Sequence, residues 1–355
     1  MRLVEGDPAE CLFILGLNRS KLAIFLISVI FISLFLTFNV LYDSAVCSLE
    51  NNPGVYRDNG VAINFIENNM IIDGKNVVYT NRVHFPRTNR RLPQAIIIGV
   101  RKCGTRALLE MLFLHPRVQK AAGEVHFFDR DENYYKGLDW YRKKMPHSFR
   151  GQITIEKSPS YFVTPEVPER IRAMNSSVKL LLIVREPVTR AISDYTQLKS
   201  HSATASSAMK SPPIQQKSFE ELAIRPDGSV NLSYRPLAIS MYHTFLHRWL
   251  DVFTRNQLLV VNGDNLIKDP VPELRKIESF LGLEPRINRN NFYFNHTKGF
   301  YCLRNDTADK CLKEAKGRKH PKVDSVVLTK LRQFFSEHNQ KFYELVWRRF
   351  GWPDQ

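Results

Sequence analysis

The stretch AIIIGVRKCGTRALLEM, residues 95–111, constrains the fold more than any other part of the chain. Residues 95–98 are all apolar and predict a buried strand, residues 99–104 predict a loop, and apolar residues recur at helical spacing after Thr105. A strand, a loop and a helix in this order surround an anion with backbone N–H groups and a helix N-terminus. We therefore expect a phosphate-binding turn here; the alternative is a tight turn that merely exposes basic residues.

The predicted loop differs from the loop of Mg²⁺-dependent nucleotide-binding proteins. In those proteins the final glycine is followed by Lys and then by Ser or Thr, whose hydroxyl binds the metal ion. Here Gly104 is followed by Thr105 and Arg106, and the lysine lies earlier, at Lys102. A later predicted strand ends at Arg185, where such a kinase places a metal-binding Asp. The sequence therefore predicts anion binding that requires no metal.

A sulfuryl group fits this chemistry because its nonbridging oxygens carry less charge than those of a terminal phosphoryl group. Lys and Arg donors are then sufficient to neutralise the transition state. The expected donor is 3′-phosphoadenosine 5′-phosphosulfate, whose two anionic ends require two basic sites. Residues 102–106 would supply one site, and Arg185 with Ser193 would supply the other.

The charge of the chain predicts a polyanionic partner. Its formal net charge is +16 at pH 7 and its isoelectric point is near 9.6. Nucleic acid, an acidic membrane surface and an acidic polysaccharide all satisfy that requirement. Charge alone therefore does not choose among these three classes of partner.

The N-terminal region contains a candidate membrane span at residues 22–42, LAIFLISVIFISLFLTFNVLY. This segment has no charged side chain and is long enough to cross a hydrocarbon core of about 30 Å. Arg19 and Lys21 precede it and Asp43 follows, so the positive-inside rule predicts a cytoplasmic N-terminus and a lumenal remainder. We expect an uncleaved signal-anchor, with a cleaved signal peptide or a buried core helix as the alternatives. A lumenal domain disfavours nucleic acid as a partner.

The whole chain is expected to have four parts: a cytoplasmic tail at 1–21, the anchor at 22–42, a stem at 43–92 and a lumenal domain at 93–355. In the last part, predicted strands and helices alternate, which favours an α/β fold with a mostly parallel sheet covered on both faces by helices. Ligands of such folds bind at the carboxyl ends of the strands. The predicted strands are 95–98, 152–155, 178–184 and 257–261, the predicted helices are 166–174, 188–198, 237–253, 271–281 and 325–335, and 201–218 is a predicted surface loop.

A lumenal location also makes oxidised cysteines and glycans possible. Cys302 and Cys311 lie in the short segment CLRNDTADKC, which a disulfide could close; two reduced, buried cysteines are the alternative. Sequons predict glycosylation at Asn175, Asn231, Asn295 and Asn305, although each motif is weak evidence by itself.

Several ordered segments resemble those of the heparan sulfate glucosamine 3-O-sulfotransferase family, nearest to its isoform 5 branch. The resemblance covers the chain from about Pro93 to the C-terminus and rests on GVRKCGTRALLEML, EVHFFD, ITIEKSPSYF, LIVREPVTRAISDYTQ, KGFYCL and KGRKHP. It implies a P-loop-like sulfotransferase fold, sulfuryl transfer from 3′-phosphoadenosine 5′-phosphosulfate to the 3-hydroxyl of glucosamine in heparan sulfate, and a type II protein of the Golgi membrane. It also implies that Cys302 and Cys311 form a disulfide.

The resemblance assigns roles to individual residues. Glu124 matches the general base, with His126 and Asp129 beside it, and Lys102 matches the group that stabilises the leaving phosphate. The implied donor-binding residues are Lys102, Cys103, Gly104, Thr105, Arg106, Arg185, Ser193, Tyr301, Lys316, Gly317, Arg318, Lys319 and His320. The implied acceptor-binding residues are Glu124, Val125, His126, Phe127, Phe128, Asp129, Arg130, Lys157 and Gln197.

The chemistry of the acceptor independently favours a base of this type. A sugar hydroxyl is a poor nucleophile, and a carboxylate or histidine must accept its proton. Glu124 and His126 are two residues apart, so on an extended strand both would point to the same face. Basic neighbours are expected to keep Glu124 ionised. The alternative is that Glu124 is a surface carboxylate without a role.

The acceptor side is expected to be a basic cleft. Further candidates for it are Lys199, Arg142, Lys143 and Lys144, and the aromatic residues Tyr134, Tyr135, Trp140 and Tyr141 would contact sugar rings or pack in the core. The alternatives for the whole protein are another Golgi carbohydrate sulfotransferase, acting at a different position or on chondroitin, and a membrane-anchored heparin-binding protein without activity.

Cys103 departs from the family pattern, which has glycine at this position. A Cβ would be unfavourable if the backbone there requires a positive φ. A thiol beside Lys102 and a helix N-terminus is also expected to have a lowered pKa and to be reactive.

Overall fold

The structure is a computed structural model that describes residues 71–73, 76–78, 87–208, 217–304, 309–311 and 318–354, together with positions 30, 33, 34 and 37. The chain divides into two compact units, Met1–Val83 and His84–Gln355. The expected tail, almost all of the expected anchor and most of the expected stem lie outside the described residues. Among the residues that are described, no helix is both long enough and apolar enough to cross a membrane.

The second unit contains nearly all of the described secondary structure. The strands among the described residues are β1 Ile71–Asp73, β2 Asn76–Val78, β3 Asn89–Arg90, β4 Ala95–Gly99, β5 Val118–Lys120, β6 His147–Ser148, β7 Ile153–Lys157, β8 Lys179–Val184, β9 Leu258–Asn262, β10 Phe292–Asn295 and β11 Phe300–Leu303. The helices are α1 Thr105–Leu112, α2 Asp131–Tyr134, α3 Gly137–Lys143, α4 Val167–Met174, α5 Pro187–Ala208, α6 Phe219–Ala223, α7 Arg235–Ser240, α8 Tyr242–Val252, α9 Gly263–Lys268, α10 Pro270–Phe280 and α11 Ser325–Val346. Short 3-10 helices span Tyr161–Val163, Arg255–Gln257 and Arg289–Asn291.

A five-stranded parallel sheet forms the centre of this unit, in the order β5-β7-β4-β8-β9. The inner strands are continuous apolar runs, AIIIG in β4 and KLLLIV in β8, because both of their faces are covered. The four predicted strands of the sheet are confirmed, with ends that shift by one or two residues. The edge strand β5 has three residues, too few for a recognisable pattern, and was not predicted.

Helices flank the sheet, and a second hydrophobic cluster joins four of them. Val188 and Tyr195 of α5 pack there with Phe219 of α6, Leu237 of α7 and Phe335 of α11. The remaining helices that enclose the site belong to the main core around β4 and β8. The clusters explain why the C-terminal helix runs to Val346, eleven residues beyond the predicted end.

Two sequence predictions about helices are corrected. The predicted helix 237–253 is two helices, α7 and α8, because the chain breaks at Met241 with ψ of 70°. The predicted loop 201–218 is helical up to Ala208, since no Pro or Gly occurs before Pro212, and residues 209–216 lie outside the described part. Ser218 then caps α6 through a reciprocal hydrogen-bonded pair with Glu221.

Three connections meet at the carboxyl ends of the central strands. Strand β4 leads into residues 100–104, which we call the phosphate loop, and then into α1. Gly263, which follows β9, is packed so tightly that a Cβ would lie 2.6 Å from the carbonyl oxygen of Cys103 and 2.8 Å from that of Val184. Glycine is therefore required where the ends of β8 and β9 approach the phosphate loop.

Candidate active site

The phosphate loop has the strand–loop–helix geometry that the sequence predicts. Gly104 precedes α1 with a φ of 100°, and Lys102 also has a positive φ, of 74°. Gly104 adopts this left-handed conformation without steric cost because it has no Cβ. The N-terminal N–H groups of α1 lack intrahelical acceptors, so the loop and the first helical turn together form an anion-binding surface.

A buried ion pair supports the phosphate loop from behind. Arg190 is completely buried, and it donates to Asp194 Oδ2 at 3.0 Å, to Ser240 Oγ at 2.7 Å and to the carbonyl of Arg101 at 3.2 Å. Asp194 in turn accepts from Arg101 Nε at 2.8 Å. Both the backbone and the side chain of Arg101 are therefore fixed by α5. A buried arginine is compatible with folding because every one of these acceptors is present.

Arg185 extends into the cavity from the end of β8. Its Nε lies 3.0 Å from Asp264 Oδ1, and the other carboxylate oxygen of Asp264 accepts from the backbone N–H of Glu186 at 2.9 Å. Because Asp264 engages Nε, it fixes the plane of the Arg185 guanidinium group. The two terminal nitrogens are then available to an anionic ligand. No local sequence pattern identifies Asp264 as the partner of Arg185, because the two residues lie far apart along the chain.

A cavity of about 750 Å³ connects the phosphate loop with residues 124–129, which we call the carboxylate segment. This volume lies within the range of about 300–1,000 Å³ that is typical of small-molecule sites. Among the described residues, the side chains that line it include three carboxylates and seven basic groups: Glu124, Asp129, Asp194, Arg101, Lys102, Arg106, Arg130, Arg185, Arg235 and Arg318. Predicted donor-binding residues, among them Lys102 and Arg185, thus share one cavity with predicted acceptor-binding residues, among them Glu124 and Gln197.

Glu124 is the carboxylate that faces this cavity most directly. Its side chain is 41% exposed, Lys157 Nζ donates to its Oε1, and His126 Nε2 lies 3.4 Å from its Oε2. The hydrogen bond with His126 and the ammonium of Lys157 lower the pKa of Glu124 to about 2. The expectation that basic neighbours keep Glu124 ionised is confirmed.

His126 lies between two carboxylates. Its Nδ1 is 2.9 Å from Asp129 Oδ2 and 3.2 Å from Ser160 Oγ. The hydrogen bonds to Asp129 and then to Glu124 raise the pKa of His126 to about 9, so the imidazole is protonated at neutral pH. Burial opposes ionisation of Asp129, but its hydrogen bonds from His126 and Ser160 lower its pKa overall.

The backbone of the carboxylate segment differs from the expected extended strand. Residues 124–127 have no regular secondary structure, and His126 has a φ of 51°. The contact between Glu124 and His126 therefore comes from this left-handed turn and from hydrogen bonds to Ser158 and Ser160, and not from strand alternation. The prediction that the two side chains lie together is right, but its structural reason was wrong.

Lys157 ends β7 and is 1% exposed. Burial lowers the pKa of its ammonium group, and the neighbouring Glu124 carboxylate partly counters this effect. Lys102 extends into the same cavity, where its Nζ donates to Gln197 Oε1 at 2.9 Å. The predicted residues Lys102, Gln197 and Glu124 therefore line a single cavity, and Lys157 is connected to it through Glu124.

Cys103 corrects two expectations. The positive φ values on either side of it belong to Lys102 and Gly104, so the Cβ of Cys103 meets no left-handed backbone. Its thiol is buried, with Sγ 3.7 Å from Tyr242 Oη, and burial raises its pKa to about 11. Arg190 and Arg185 reduce this rise only in part. The expectation of a reactive thiolate is therefore wrong.

The remaining predicted donor residues divide into three groups. Gly104, Thr105, Arg106, Ser193, Tyr301, Arg318 and His320 line the cavity. Lys319 is exposed and is not part of the cavity wall, whereas Lys316 and Gly317 lie outside the described residues. Burial lowers the pKa of His320, and the charges of Arg185 and Lys102 lower it further.

The acceptor predictions also require a correction. Asp129 and Arg130 line the cavity, but Phe127 and Phe128 are at most 1% exposed and pack against Tyr141 in the core, Phe127 by stacking and Phe128 edge to face. Their side chains thus have no surface that an acceptor could contact. Val125 packs against the same core. The apolar character of FF next to ionisable residues is the signal that could have separated core from surface here.

The other basic and aromatic candidates lie outside the cavity wall. The Nζ of Lys144 lies 4.9 Å from the ring centroid of Trp140, and the Nζ of Lys199 lies 5.6 Å from that of Tyr195. Arg142 pairs with Asp139, and Tyr134 stacks with the Arg170 guanidinium group. A role for these residues, or for Lys143 and Tyr135, in binding a long acceptor stays a prediction.

Cys302 and Cys311 are joined by a disulfide, with their Cα atoms 4.7 Å apart. This bond closes the segment that follows Tyr301 in the cavity wall. Lys310 Nζ, next to Cys311, lies 3.3 Å from Glu110 Oε2, and Glu110 also pairs with Arg106 at 2.8 Å. The disulfide segment is thereby connected to the first turns of α1.

The sequons differ in their surroundings. Asn175 Oδ1 accepts from Ser177 N and Oγ, while Asn231 Nδ2 donates to the carbonyl of Leu222 at 2.9 Å. Asn295 Nδ2 lies 3.8 Å from Cys311 Sγ, and Asn305 is outside the described residues. Glycosylation at each position stays a prediction.

The site residues fit the expected donor. Its two anionic ends require two basic sites with backbone close enough for N–H contacts, and the phosphate loop and Arg185 provide these at the ends of neighbouring strands β4 and β8. The close packing at Gly263, where a Cβ would displace backbone, holds these two sites together. Gly104, with its positive φ, ends the phosphate loop directly before the N-terminus of α1.

Comparison with known proteins agrees with this geometry. Residues 92–345 match the sulfotransferase domain family. The chain is 56% identical over 274 residues to heparan sulfate glucosamine 3-O-sulfotransferase 5 of Mus musculus, covering 77% of each chain. It is 49% identical over 269 residues to heparan sulfate glucosamine 3-O-sulfotransferase 3B1 of the same organism, covering 74% of this chain and 66% of the relative.

A solved structure supports the fold. The crystal structure of a sulfotransferase from Alicyclobacillus acidocaldarius superposes with a TM-score of 0.52 at 21% identity, covering 73% of this chain and 97% of that one. The central parallel sheet flanked by helices is therefore a sulfotransferase fold.

Proposed function

The chain belongs to the heparan sulfate glucosamine 3-O-sulfotransferase family, and from this premise we propose that it transfers a sulfuryl group to the 3-hydroxyl of glucosamine residues in heparan sulfate. The proposed donor is 3′-phosphoadenosine 5′-phosphosulfate. Relatives that are named for this reaction are about half identical to the chain over three quarters of its length, and identity is higher to isoform 5 than to isoform 3B1. The cavity that contains both basic sites and Glu124 supports the same reaction.

The observation that carries the proposal is the state of Glu124. Its carboxylate faces the cavity, its pKa of about 2 keeps it deprotonated at neutral pH, and the phosphate loop lies across the same cavity. A carboxylate that acts as the base for a sugar hydroxyl must be deprotonated and within hydrogen-bond distance of that hydroxyl. We assign this role to Glu124.

The neighbours of Glu124 hold its charge in place. Lys157 and His126 each contact one carboxylate oxygen, so the carboxylate has a fixed orientation. While Glu124 accepts the proton of the hydroxyl, the contacts of His126 Nδ1 with Asp129 and Ser160 stabilise the protonated imidazole. The acceptor oxygen is thus deprotonated by a group whose position does not depend on the ligand.

The opposite side of the cavity binds the donor. When bound, the donor supplies the sulfuryl group and a phosphate leaving group, so a sulfur–oxygen bond forms to the sugar as another breaks. Lys102 and the N–H groups at the start of α1 neutralise charge on the leaving side, and Arg185 with Ser193 binds the second anionic end. Tyr301, Arg318 and His320 close the cavity around the donor.

Sulfate transfer followed by disaccharide analysis tests the function. We expect radiolabel from the donor to appear in heparan sulfate, and in disaccharides that carry the label on the 3-position of glucosamine. Label at another position, or label in chondroitin instead, would support a different carbohydrate sulfotransferase. Tight heparin binding without any transfer would support a binding protein that lacks activity.

We further propose that the domain is lumenal and anchored in the Golgi membrane by residues 22–42. The uncharged length of this segment, its flanking charges and the sequons support this topology. Protease protection in sealed vesicles tests it: the domain should be protected until detergent is added, and digestion without detergent would contradict it.

A further inference from the structure

Glu156 is a buried carboxylate that neither the sequence motifs nor the proposed reaction assigns. It lies in β7, is 0% exposed, and precedes Lys157. Three groups donate to it: Ser158 Oγ to Oε1 at 2.6 Å, the backbone N–H of Val125 to Oε1 at 3.4 Å, and Tyr141 Oη to Oε2 at 3.3 Å. Burying a carboxylate costs free energy unless hydrogen-bond donors satisfy it, and these three donors offset part of that cost.

Two of these bonds end in the carboxylate segment. Val125 N–H donates to Glu156 directly, and His126 N–H donates at 3.0 Å to Ser158 Oγ, which itself donates to Glu156. Two successive backbone amides between Glu124 and the His126 side chain are therefore held by one carboxylate oxygen. No regular secondary structure supports the backbone on either side of Val125, so side-chain hydrogen bonds determine its path: these two, and those that Asn133 Nδ2 donates to the carbonyls of Val125 and His126.

The conformation of His126 makes this support necessary. Its φ of 51° places a residue with a Cβ in the left-handed region, which is energetically unfavourable. Such a conformation persists only where surrounding contacts determine it. The contact of His126 Nε2 with Glu124 follows from this turn.

We propose that Glu156 is a positioning residue that holds the Glu124–His126 turn in the conformation required for proton transfer. The inference rests on the proposed sulfuryl transfer, in which Glu124 is the base. Glu156 itself does not line the cavity and touches neither donor nor acceptor. It acts through Val125 and Ser158.

The protonation state of Glu156 determines which substitution preserves its role. Burial raises its pKa to about 7, and Lys157, Tyr141 and Tyr161 are the ionisable groups that face it. In the neutral acid, Oε1 still accepts from Val125 and Ser158, while a protonated Oε2 donates to Tyr141 Oη. Glutamine has the same shape and the same two kinds of group, so Glu156→Gln should retain the support at all pH values.

The test compares Glu156→Ala with Glu156→Gln in the full chain. For Glu156→Ala we expect kcat to fall about 10- to 100-fold at saturating substrates, because the base loses its fixed position. Its affinity for 3′-phosphoadenosine 5′-phosphate should stay within about threefold of wild type, since the phosphate loop is intact. Glu156→Gln should retain kcat within about threefold.

Titration of the His126 imidazole by NMR supplies a measurement that a general loss of stability would not change. In Glu156→Ala the pKa of His126 should fall from about 9 toward its usual value, because its contacts with Glu124 and Asp129 loosen. In Glu156→Gln it should stay near 9. Assignment of the signal uses its loss in His126→Gln.

Glu278 offers a matched control on α10. It is 1% exposed, and its Oε1 accepts backbone N–H bonds from Arg286 and Ile287 at 3.0 and 2.9 Å, away from the cavity wall. Glu278→Ala should lower the melting temperature but leave kcat and the pKa of His126 unchanged. If Glu156→Ala does not fold, Ser158→Ala removes the acceptor of His126 N–H and should lower kcat several-fold.

Three results would overturn the inference. The first is a folded Glu156→Ala variant with wild-type kcat. The second, where Glu156→Ala cannot be obtained, is a Ser158→Ala variant with wild-type kcat. The third is a loss of kcat in Glu278→Ala as large as the loss in Glu156→Ala. An inactive wild-type chain would instead contradict the proposed function, so the two failures are distinguishable.

Discussion

The phosphate loop and the carboxylate segment both line one cavity, but different interactions hold them in place. The phosphate loop connects β4 to α1, and its position follows from two regular elements and from close backbone packing at Gly263. The carboxylate segment is irregular, and hydrogen bonds from side chains of β7 and the following turn determine its path. The phosphate loop is therefore positioned mainly by backbone packing, and the carboxylate segment mainly by side-chain hydrogen bonds.

This difference predicts a separation of effects. Changes to the basic groups around the phosphate loop should weaken donor binding, because these groups contact the donor in the ground state. Changes in the carboxylate segment should reduce turnover while leaving donor affinity intact, because proton transfer occurs only in the transition state. Substitutions on each side can contradict or refine this view.

The largest effect is expected for Glu124→Gln. The amide keeps the shape of the side chain but cannot accept a proton, so kcat should fall by a factor of about 10² to 10⁴. Affinity for 3′-phosphoadenosine 5′-phosphate, measured by calorimetry, should be unchanged. The exposed carboxylate Glu132 supplies the control, and Glu132→Gln should be as active as wild type. A Glu124→Gln variant with more than about a tenth of wild-type turnover would exclude Glu124 as the base.

Arg185→Leu should produce the next largest effect, on binding. Hydrogen bonds to charged groups contribute about 1.5–3 kcal/mol, so donor affinity should fall about 10- to 100-fold. Turnover at saturating donor should change much less. Arg289, which pairs with Asp269 at the surface and has an 83% exposed side chain, gives the control variant Arg289→Leu. Equal losses in kcat and affinity for Arg185→Leu would show that the two sides of the cavity do not act separately.

His126 should make a smaller, pH-dependent contribution to stability. Its pKa is about 9 in the folded protein and lies near 6.5 when unfolded, so the stabilisation is complete below pH 6.5 and is lost as the pH rises through about 9. Allowing for solvent screening, the contribution is about 1–2 kcal/mol. Denaturant unfolding of wild type and His126→Gln at several pH values measures it. A difference that grows with pH would contradict the imidazolium assignment.

The sequence predicted the phosphate side of the site more completely than the carboxylate side. The apolar run of β4, the position of Gly104 and the periodicity of α1 are local signals, so the sequence alone predicted the loop and an anionic ligand. The support from Arg190, Asp194 and Asp264 could not be predicted in this way, because those side chains approach the loop and Arg185 only in the folded sheet.

On the carboxylate side, the sequence predicted the types of the site residues but not the backbone conformation that brings them together. Glu124, His126 and Lys157 were identified, yet the left-handed turn at His126 depends on Ser158, Ser160 and a buried carboxylate from β7. A charged pair inside the otherwise apolar strand ITIEK was a visible signal for Glu156. The burial of Phe127 and Phe128 follows from packing against Tyr141, and the apolar pair FF was the local signal for it.

The smallest effect is expected at Cys103. A buried thiol with a pKa of about 11 should resist alkylation in the native protein and react only after unfolding. Mass spectrometry of the peptide that contains Cys103 should show no label in active enzyme, and Cys103→Ala should have the same sensitivity to alkylating reagents. Rapid labelling of Cys103 with loss of donor binding would mean that the phosphate loop opens more readily than its packing indicates.

Single-turnover transfer from preloaded enzyme measures directly whether Glu124 is the base for the 3-hydroxyl. Wild type and Glu124→Gln are loaded with radiolabelled donor, mixed with heparan sulfate, and quenched over time for disaccharide analysis. Wild type should pass its label to the 3-position of glucosamine in a single phase, while Glu124→Gln should bind an equal amount of donor and transfer it at least about 100-fold more slowly. Transfer by Glu124→Gln at the wild-type rate, or label at another position of the sugar, would contradict the assignment.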